Sequence, residues 1–280
     1  MEKPINIALA SDAEYLIHAR VTLCSLFDSN KSRQFAIYLF TESVSHTEID
    51  KIRELSDKYN NSFHVVQINK KLFEEFFISG HISVATYYRL LIPEMLPTEV
   101  QKVLYLDTDI IIKKDIEELW KTDIQKYCLA AVDEKNVDHV QRLQLPTVNS
   151  YFNAGVLLIN VPVWRQLEVT KRGLHLANKY KNQLLAHDQD ILNMLLLDNW
   201  IPLSPKWNQT EGHRLGKLID DPTIIHFVGF KPWTIHCIHP YKNEYYHYYY
   251  KMEGFTKKIK DKYTHYLNAF KRRIPFLKQK

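Results

Sequence analysis

Lys102-Val-Leu-Tyr-Leu-Asp107-Thr-Asp109-Ile-Ile-Ile112 sets two carboxylates between two apolar runs. The run before Asp107 reads as a strand buried on both faces, stopped by Asp-Thr-Asp. In an extended segment residues i and i+2 point the same way, so Asp107 and Asp109 can converge on one hard divalent cation. Mg²⁺ or Mn²⁺ bound by one or two carboxylates commonly completes its shell with substrate phosphates and water. The same three residues can also merely end a strand and begin a turn. The apolar flanks weigh toward a metal, because paired carboxylates near a core need a compensating partner.

The segments on either side repeat the pattern. Ile5–Ala10 is an apolar run ending at Ser11-Asp12, and 14–28 carries Leu16, Ala19, Leu23 and Leu26 at helical spacing. Phe35–Phe40 and Phe63–Ile68 read as strands, with a helix opening at Ser45 between them. Leu129–Val132 and Gly155–Ile159 are two more strands. Strands alternating with helices predict an α/β fold with a mainly parallel sheet covered on both faces. Such sheets place ligands beyond the carboxyl ends of their strands. Asp12, Asp107, Asp109 and Asp133 all follow strand ends directly, which puts them at one edge.

Composition narrows the function. The 280 residues carry 37 Lys+Arg against 32 Asp+Glu and 45% hydrophobic residues, enough to bury a large core without disulfides. Cys24, Cys128 and Cys237 form no CxxC pair, so neither a zinc site nor a disulfide scaffold is favoured. No GxGxxG or GxxxxGK[ST] is present, which leaves dinucleotide fingerprints and P-loops unsupported. The N-terminus has no export signal and no stretch has the length of a membrane span, so a cytoplasmic protein is expected. Charge is uneven: residues 251–280 hold ten basic and two acidic residues, a net of +8 on a chain of +5. The Tyr245–Tyr250 cluster precedes them. Basic residues beside amphipathic aromatics suit an anionic membrane surface, and they equally suit a solvated helix packed on the body. No nucleic-acid-binding motif accompanies the patch. The sequence thus divides into a catalytic unit over 1–240 and a Tyr-rich, basic, mostly helical appendage over 241–280.

Further polar clusters complete the pattern. His226 ends an apolar run that continues to Gly229, Lys231 and Trp233. An imidazole is an apt third ligand for Mn²⁺; Gly229 permits close backbone approach, and Lys231 can meet phosphate as a point charge. Asp188-Gln-Asp190 opens an apolar helix with more polar side chains than capping requires. Asn153-Ala-Gly155 sets small residues before a strand, leaving room for a ligand.

Taken together, 10–15, His81–Leu90, Val103–Asp109, Tyr151–Asn160, Asp188–Asn193 and His226–Trp233 resemble glycosyltransferase family 8. These are retaining, nucleotide-sugar-dependent enzymes of the bacterial galactosyl- and glucosyltransferase type, with glycogenin as a more distant relative. The segments follow the family's order over about residues 5–240. The resemblance implies a GT-A fold, a UDP-hexose donor, a glycan acceptor and Mn²⁺, with Mg²⁺ as the other candidate. It implies metal ligation by Asp107, Asp109 and His226, and a uracil–ribose pocket from Ala10, Ser11, Asp12, Ala13, Glu14 and Tyr15. Glu14 stands where relatives often carry Asn. Arg89 and Thr108 would contact the donor, and Gly229 and Lys231 the diphosphate. Asp133, Asn153, Ala154, Asp188 and Gln189 would surround the sugar, and Asp190 is the stronger nucleophile beside Gln189. Three other readings compete: a self-glucosylating priming enzyme using Tyr245–Tyr250, a non-catalytic nucleotide-sugar binder, and a metal-dependent nuclease.

Overall fold

The computed structural model describes residues 3–42, 46–69, 71, 85–145, 151–181, 183–210, 218–254 and 257. The expected helix start at Ser45, His81–Val84 of the His81–Leu90 motif, and the basic residues from 258 onward lie outside the described residues.

Strands β1 (Ile5–Ala10), β2 (Phe35–Thr41), β3 (Ser62–Gln67), β4 (Lys102–Leu106), β5 (Ile110–Ile112), β6 (Leu129–Ala131), β7 (Val156–Asn160), β8 (Trp200–Pro202) and β9 (Ile224–His226) form two sheets. The larger has the order β3-β2-β1-β4-β7-β6-β8, and β5 pairs with β9 in a two-stranded ribbon. Pairings β1/β2, β2/β3, β1/β4 and β6/β8 are parallel. β7 is the exception, antiparallel to both β4 and β6. The sheet is therefore mainly parallel, as the alternation of elements predicts, with one reversed strand, β7, between β4 and β6.

The continuous apolar runs are explained by burial on both faces. Side chains alternate across a strand. Ile7 and Leu9 of β1 and Leu104 and Leu106 of β4 enter one core, under the helices Leu16–Ser29 and His46–Lys58. Ala8, Ala10, Val103 and Tyr105 enter the opposite core, covered by the helices Val161–Gln166, Val169–Lys179 and His187–Leu195. Each fully buried Leu or Ile contributes about 1.5–3 kcal/mol. Both faces of the central strands therefore resist substitution by polar residues.

Reversal of β7 has a direct effect on the sheet edge. Leu106 pairs with Val156, so the residues that precede β7 lie beside those that follow β4. The Asp107 N–H donates to the Gly155 carbonyl at 2.9 Å. The chain from 152 to 155 therefore joins the carboxyl ends of β1, β4 and β6 at one edge.

A third core holds the start of the C-terminal segment. The segment 242–254 is helical, and Tyr245 and Tyr248 pack with Val21, Cys24, Ile111, Ile225 and Phe227. Tyr245 is 2% exposed. Lys251 pairs with Asp28 at 2.7 Å, and Glu253 pairs with Arg20. The described part of 241–280 is thus docked on the helix Leu16–Ser29, because its aromatic face has an apolar partner there. Among the described residues no helix is long and apolar enough to cross a membrane.

Candidate active site

A cleft of about 1170 Å³ opens at the sheet edge where the carboxylates gather. Its floor is the Asp107-Thr108-Asp109 turn. That turn is pinned from below: buried Thr22 donates its hydroxyl to the carbonyls of Thr108 at 3.1 Å and Ile110 at 2.9 Å. The β5–β9 ribbon then brings in His226, whose Cα pairs with Ile110. Phe227 closes the ribbon by donating its N–H to the Asp109 carbonyl at 3.1 Å.

Asp107, Asp109 and His226 form one cluster whose ligand atoms lie within 4.8 Å of one another. Each carboxylate uses one oxygen for the protein and turns the other toward the imidazole. Asp107 Oδ1 accepts from Tyr105 Oη at 2.6 Å and from Arg89 at 2.9 Å, and Oδ2 lies 3.6 Å from His226 Nε2. Asp109 Oδ2 accepts from Lys231, and Oδ1 lies 3.3 Å from His226 Nε2. Burial alone would raise the Asp109 carboxyl, but Lys231 and His226 hold it well below the usual carboxylate range. Burial opposes the charge on Lys231 too, and Asp109 more than offsets it, raising the ammonium. Two carboxylate oxygens and one imidazole nitrogen make a donor set suited to Mn²⁺ or Mg²⁺, so these residues fit a divalent ion.

At the far end Arg89 ties two acids together. It reaches Asp107 at 2.9 Å and Asp188 at 2.6 Å, and it also donates to the Ala154 carbonyl. Burial raises the Asp188 carboxyl to about 6, against the pull of Arg89 and of the hydroxyl that Thr86 donates to it. Asp188 Oδ2 is buried without an aligned hydrogen bond. Gln189 accepts the Ala154 N–H at 2.9 Å.

At the opposite wall Tyr15 packs edge-on against Trp233, with ring centroids 5.7 Å apart. His18 stacks flat on Trp233 and meets the Tyr245 hydroxyl at 2.7 Å. Burial lowers His18 to about 4, so the ring is a neutral packing element at pH 7. Gly229 has φ of 83°, a left-handed conformation that favours glycine.

Of the residues singled out in the sequence, the cleft brings together Ala10, Ser11, Asp12, Tyr15, Arg89, Asp107, Thr108, Asp109, Asn153, Asp188, Gln189, His226, Gly229 and Lys231. Ala13 and Glu14 are exposed and do not line it. Asp133 does not line it either: its carboxylate accepts the Lys135 N–H at 2.8 Å. The neighbouring Glu134 faces the cleft instead, 2% exposed. Asp190 is turned into the body, accepting from Tyr151 at 2.6 Å, Arg142 at 2.7 Å and the N–H groups of Leu185 and Ala186. Ala154 contributes only backbone groups. Sequence reasoning missed Glu134, Thr86, Tyr105 and Asn208. Strand alternation allows only one of Asp133 and Glu134 to face inward, and that signal was present but had no marker of direction.

The glycosyl transferase family 8 model matches residues 6–237. The chain is 28% identical over 264 residues to general stress protein A of Bacillus subtilis, covering 87% of this chain and 92% of that protein. It is 28% identical over 244 residues to the lipopolysaccharide 1,3-galactosyltransferase of Salmonella typhimurium, covering 81% of this chain and 72% of that one. The fold matches that of the galactosyltransferase LgtC, solved with donor and acceptor sugar analogues, with a TM-score of 0.82. That match has 23% identity and covers 90% of this chain and 97% of LgtC, so the two share the GT-A architecture. A family match across the whole cleft-forming region, on a fold of this kind, establishes that the chain belongs to glycosyl transferase family 8 and is a glycosyltransferase.

Proposed function

We propose that this enzyme transfers a hexose, galactose or glucose, from a UDP-sugar to a glycan acceptor with retention of configuration, assisted by Mn²⁺. The observation that carries the reading is the convergence of Asp107, Asp109 and His226 on one side of a cleft whose other groups suit a nucleotide sugar. Tyr15 and Trp233 offer flat surfaces for the uracil, and Asp12 and Ser11 offer polar contacts beside them. Lys231 and the Gly229 backbone suit a diphosphate. Asp188, Glu134 and Gln189 line the cleft together and suit sugar hydroxyls. The named activity of the Salmonella relative supports a hexose.

In this reading the bond from the sugar C1 to the diphosphate oxygen breaks, and its electron pair goes to UDP. A bound divalent ion supplies Lewis-acid stabilisation of that charge. Lys231 adds a second positive group at the same oxygens. Asp190 has four donors around its carboxylate, and Gln189 gives its oxygen to Ala154. These placements disfavour a covalent intermediate on either residue. They support attack by the acceptor hydroxyl on the face the leaving group vacates, the departing phosphate oxygen taking the proton. Self-glucosylation at Tyr245–Tyr250 is disfavoured, since Tyr245 and Tyr248 are buried and Tyr246, Tyr249 and Tyr250 are half-buried.

The test is a panel of UDP-hexoses with Mn²⁺, read as UDP release with water as acceptor and repeated in EDTA. Release from UDP-galactose or UDP-glucose that needs the metal is expected. Equal rates in EDTA, or preference for a GDP- or ADP-sugar, would overturn the assignment.

A further inference from the structure

A chain of buried side chains runs from the imidazole of His226 to the amide of Gln189. His226 Nδ1 lies 3.0 Å from Asn208 Oδ1. Asn208 Nδ2 donates to Asn153 Oδ1 at 2.8 Å, and Asn153 Nδ2 donates to Glu134 Oε1 at 2.6 Å. Gln189 Nε2 approaches Glu134 Oε2 at 3.5 Å. His226, Asn208, Asn153 and Glu134 are each at most 4% exposed.

The direction of these bonds is set by groups whose chemistry is fixed. A backbone N–H only donates, and that of Gly155 gives to Asn153 Oδ1 at 2.9 Å. Asn153 therefore turns its NH₂ toward Glu134, whose carboxylate accepts. Asn208 must then offer its NH₂ to the Asn153 oxygen and its own oxygen to His226. An amide oxygen only accepts, so the imidazole proton sits on Nδ1. In the neutral ring Nε2 then keeps its lone pair, on the side of Asp107 and Asp109. At the other end the Ala154 N–H fixes Gln189 in the same way, directing its NH₂ at Glu134.

We propose that Asn208 and Glu134 are positioning residues. Asn208 locks His226 in the Nδ1–H tautomer, and Glu134 anchors the same chain beneath Asn153 and Gln189. The metal end and the sugar end of the cleft thereby share one hydrogen-bond polarity. A ligating histidine is commonly oriented by a partner on its other ring nitrogen, and loss of such a partner typically weakens metal binding about 10–100-fold. The metal consequence rests on the function proposed above; the tautomer does not.

The test is ¹⁵N NMR of the imidazole nitrogens in the metal-free protein, above the pH at which imidazoles protonate. The His226 signals are assigned by their loss in His226→Gln. A pyrrole-type Nδ1 and a pyridine-type Nε2 are expected; an Nε2–H tautomer overturns the proposal. Asn208→Leu should mix or reverse the tautomers and weaken Mn²⁺ binding about 10–100-fold by calorimetry. Asn208→Asp, which still accepts from Nδ1, should restore the tautomer. If the leucine variant does not fold, Asn208→Ser is read in its place. A folded variant with wild-type tautomer and Mn²⁺ affinity overturns the role of Asn208, and the same result in Glu134→Leu, which leaves Asn153 and Gln189 without their acceptor, removes Glu134. A wild type with the expected tautomer that binds no Mn²⁺ overturns the metal reading alone.

Discussion

A Cβ placed on Gly155 would stand 2.2 Å from His226 Cε1 and 2.9 Å from Asp107 Oδ2. The glycine is thus the space in which the imidazole and the carboxylate approach each other. Gly155→Ala should displace His226 or Asp107, because real Cβ contacts are never that close. Loss of Mn²⁺ binding and at least about a 10²-fold fall in kcat are expected, with the strand pairing of β7 intact by circular dichroism. Near-normal turnover would show that the cluster tolerates movement and is not the working site.

Asp107→Asn should abolish transfer while leaving the fold in place, since Tyr105 and Arg89 still find an oxygen there. The expected loss is about 10²–10³-fold in kcat. Asp109→Asn should lose as much activity and also lower the melting temperature, because it leaves Lys231 buried beside a neutral group. Activity within a few-fold of wild type for either variant in Mn²⁺ would sink the metal assignment.

The two carboxylates were legible in the sequence because an apolar run stopped at them. So were β1, β2 and β4, whose unbroken apolar character reflects two covered faces. The direction of β7 was not legible: an apolar run reads the same in either orientation, and only its pairing with Lys102–Leu106 settles it. Asp133 and Glu134 are chemically alike and adjacent, so composition could not say which one faces inward. Asp190 looked reactive as a free carboxylate; its burial against Arg142 and Tyr151 depends on residues 39 and 48 positions away. Asn208 belongs to no motif and acquires meaning only from the distance to His226.

Asp188 supplies a pH dependence. It must be ionised to form its ion pair with Arg89, which the proposed function needs to hold the sugar end of the cleft, and burial raises it to about 6. Activity should therefore fall as pH drops below about 6, and Asp188→Asn should lose both that limb and most of its rate. Stability runs the other way. The folded state holds this proton more tightly than the unfolded chain, whose carboxyl titrates near 3.8. The contribution of Asp188 is thus greatest below pH 4 and is lost between about 4 and 6. Denaturant titrations of wild type and Asp188→Asn across this range should diverge with that sign; parallel curves would place the titration elsewhere.

Tyr245 tests whether the C-terminal helix belongs to the core. Tyr245→Ala removes a ring packed on Trp233 and Phe227 and should cost about 3–5 kcal/mol. Tyr245→Phe removes only the bond to His18, worth about 1 kcal/mol. Chemical denaturation measures both. An alanine variant as stable as wild type would make the helix dispensable.

The β5–β9 ribbon makes the site a late product of synthesis. Asp107 and Asp109 leave the ribosome well before His226, and the ribbon forms only once Ile224–His226 can pair with Ile110–Ile112. Its register admits no error, since a slip of one residue would turn His226 to the opposite face. A nascent chain can therefore build most of its large sheet while lacking one of the three candidate ligands. The three-residue cluster is complete only once His226 has been made and Ile224–His226 has paired with Ile110–Ile112.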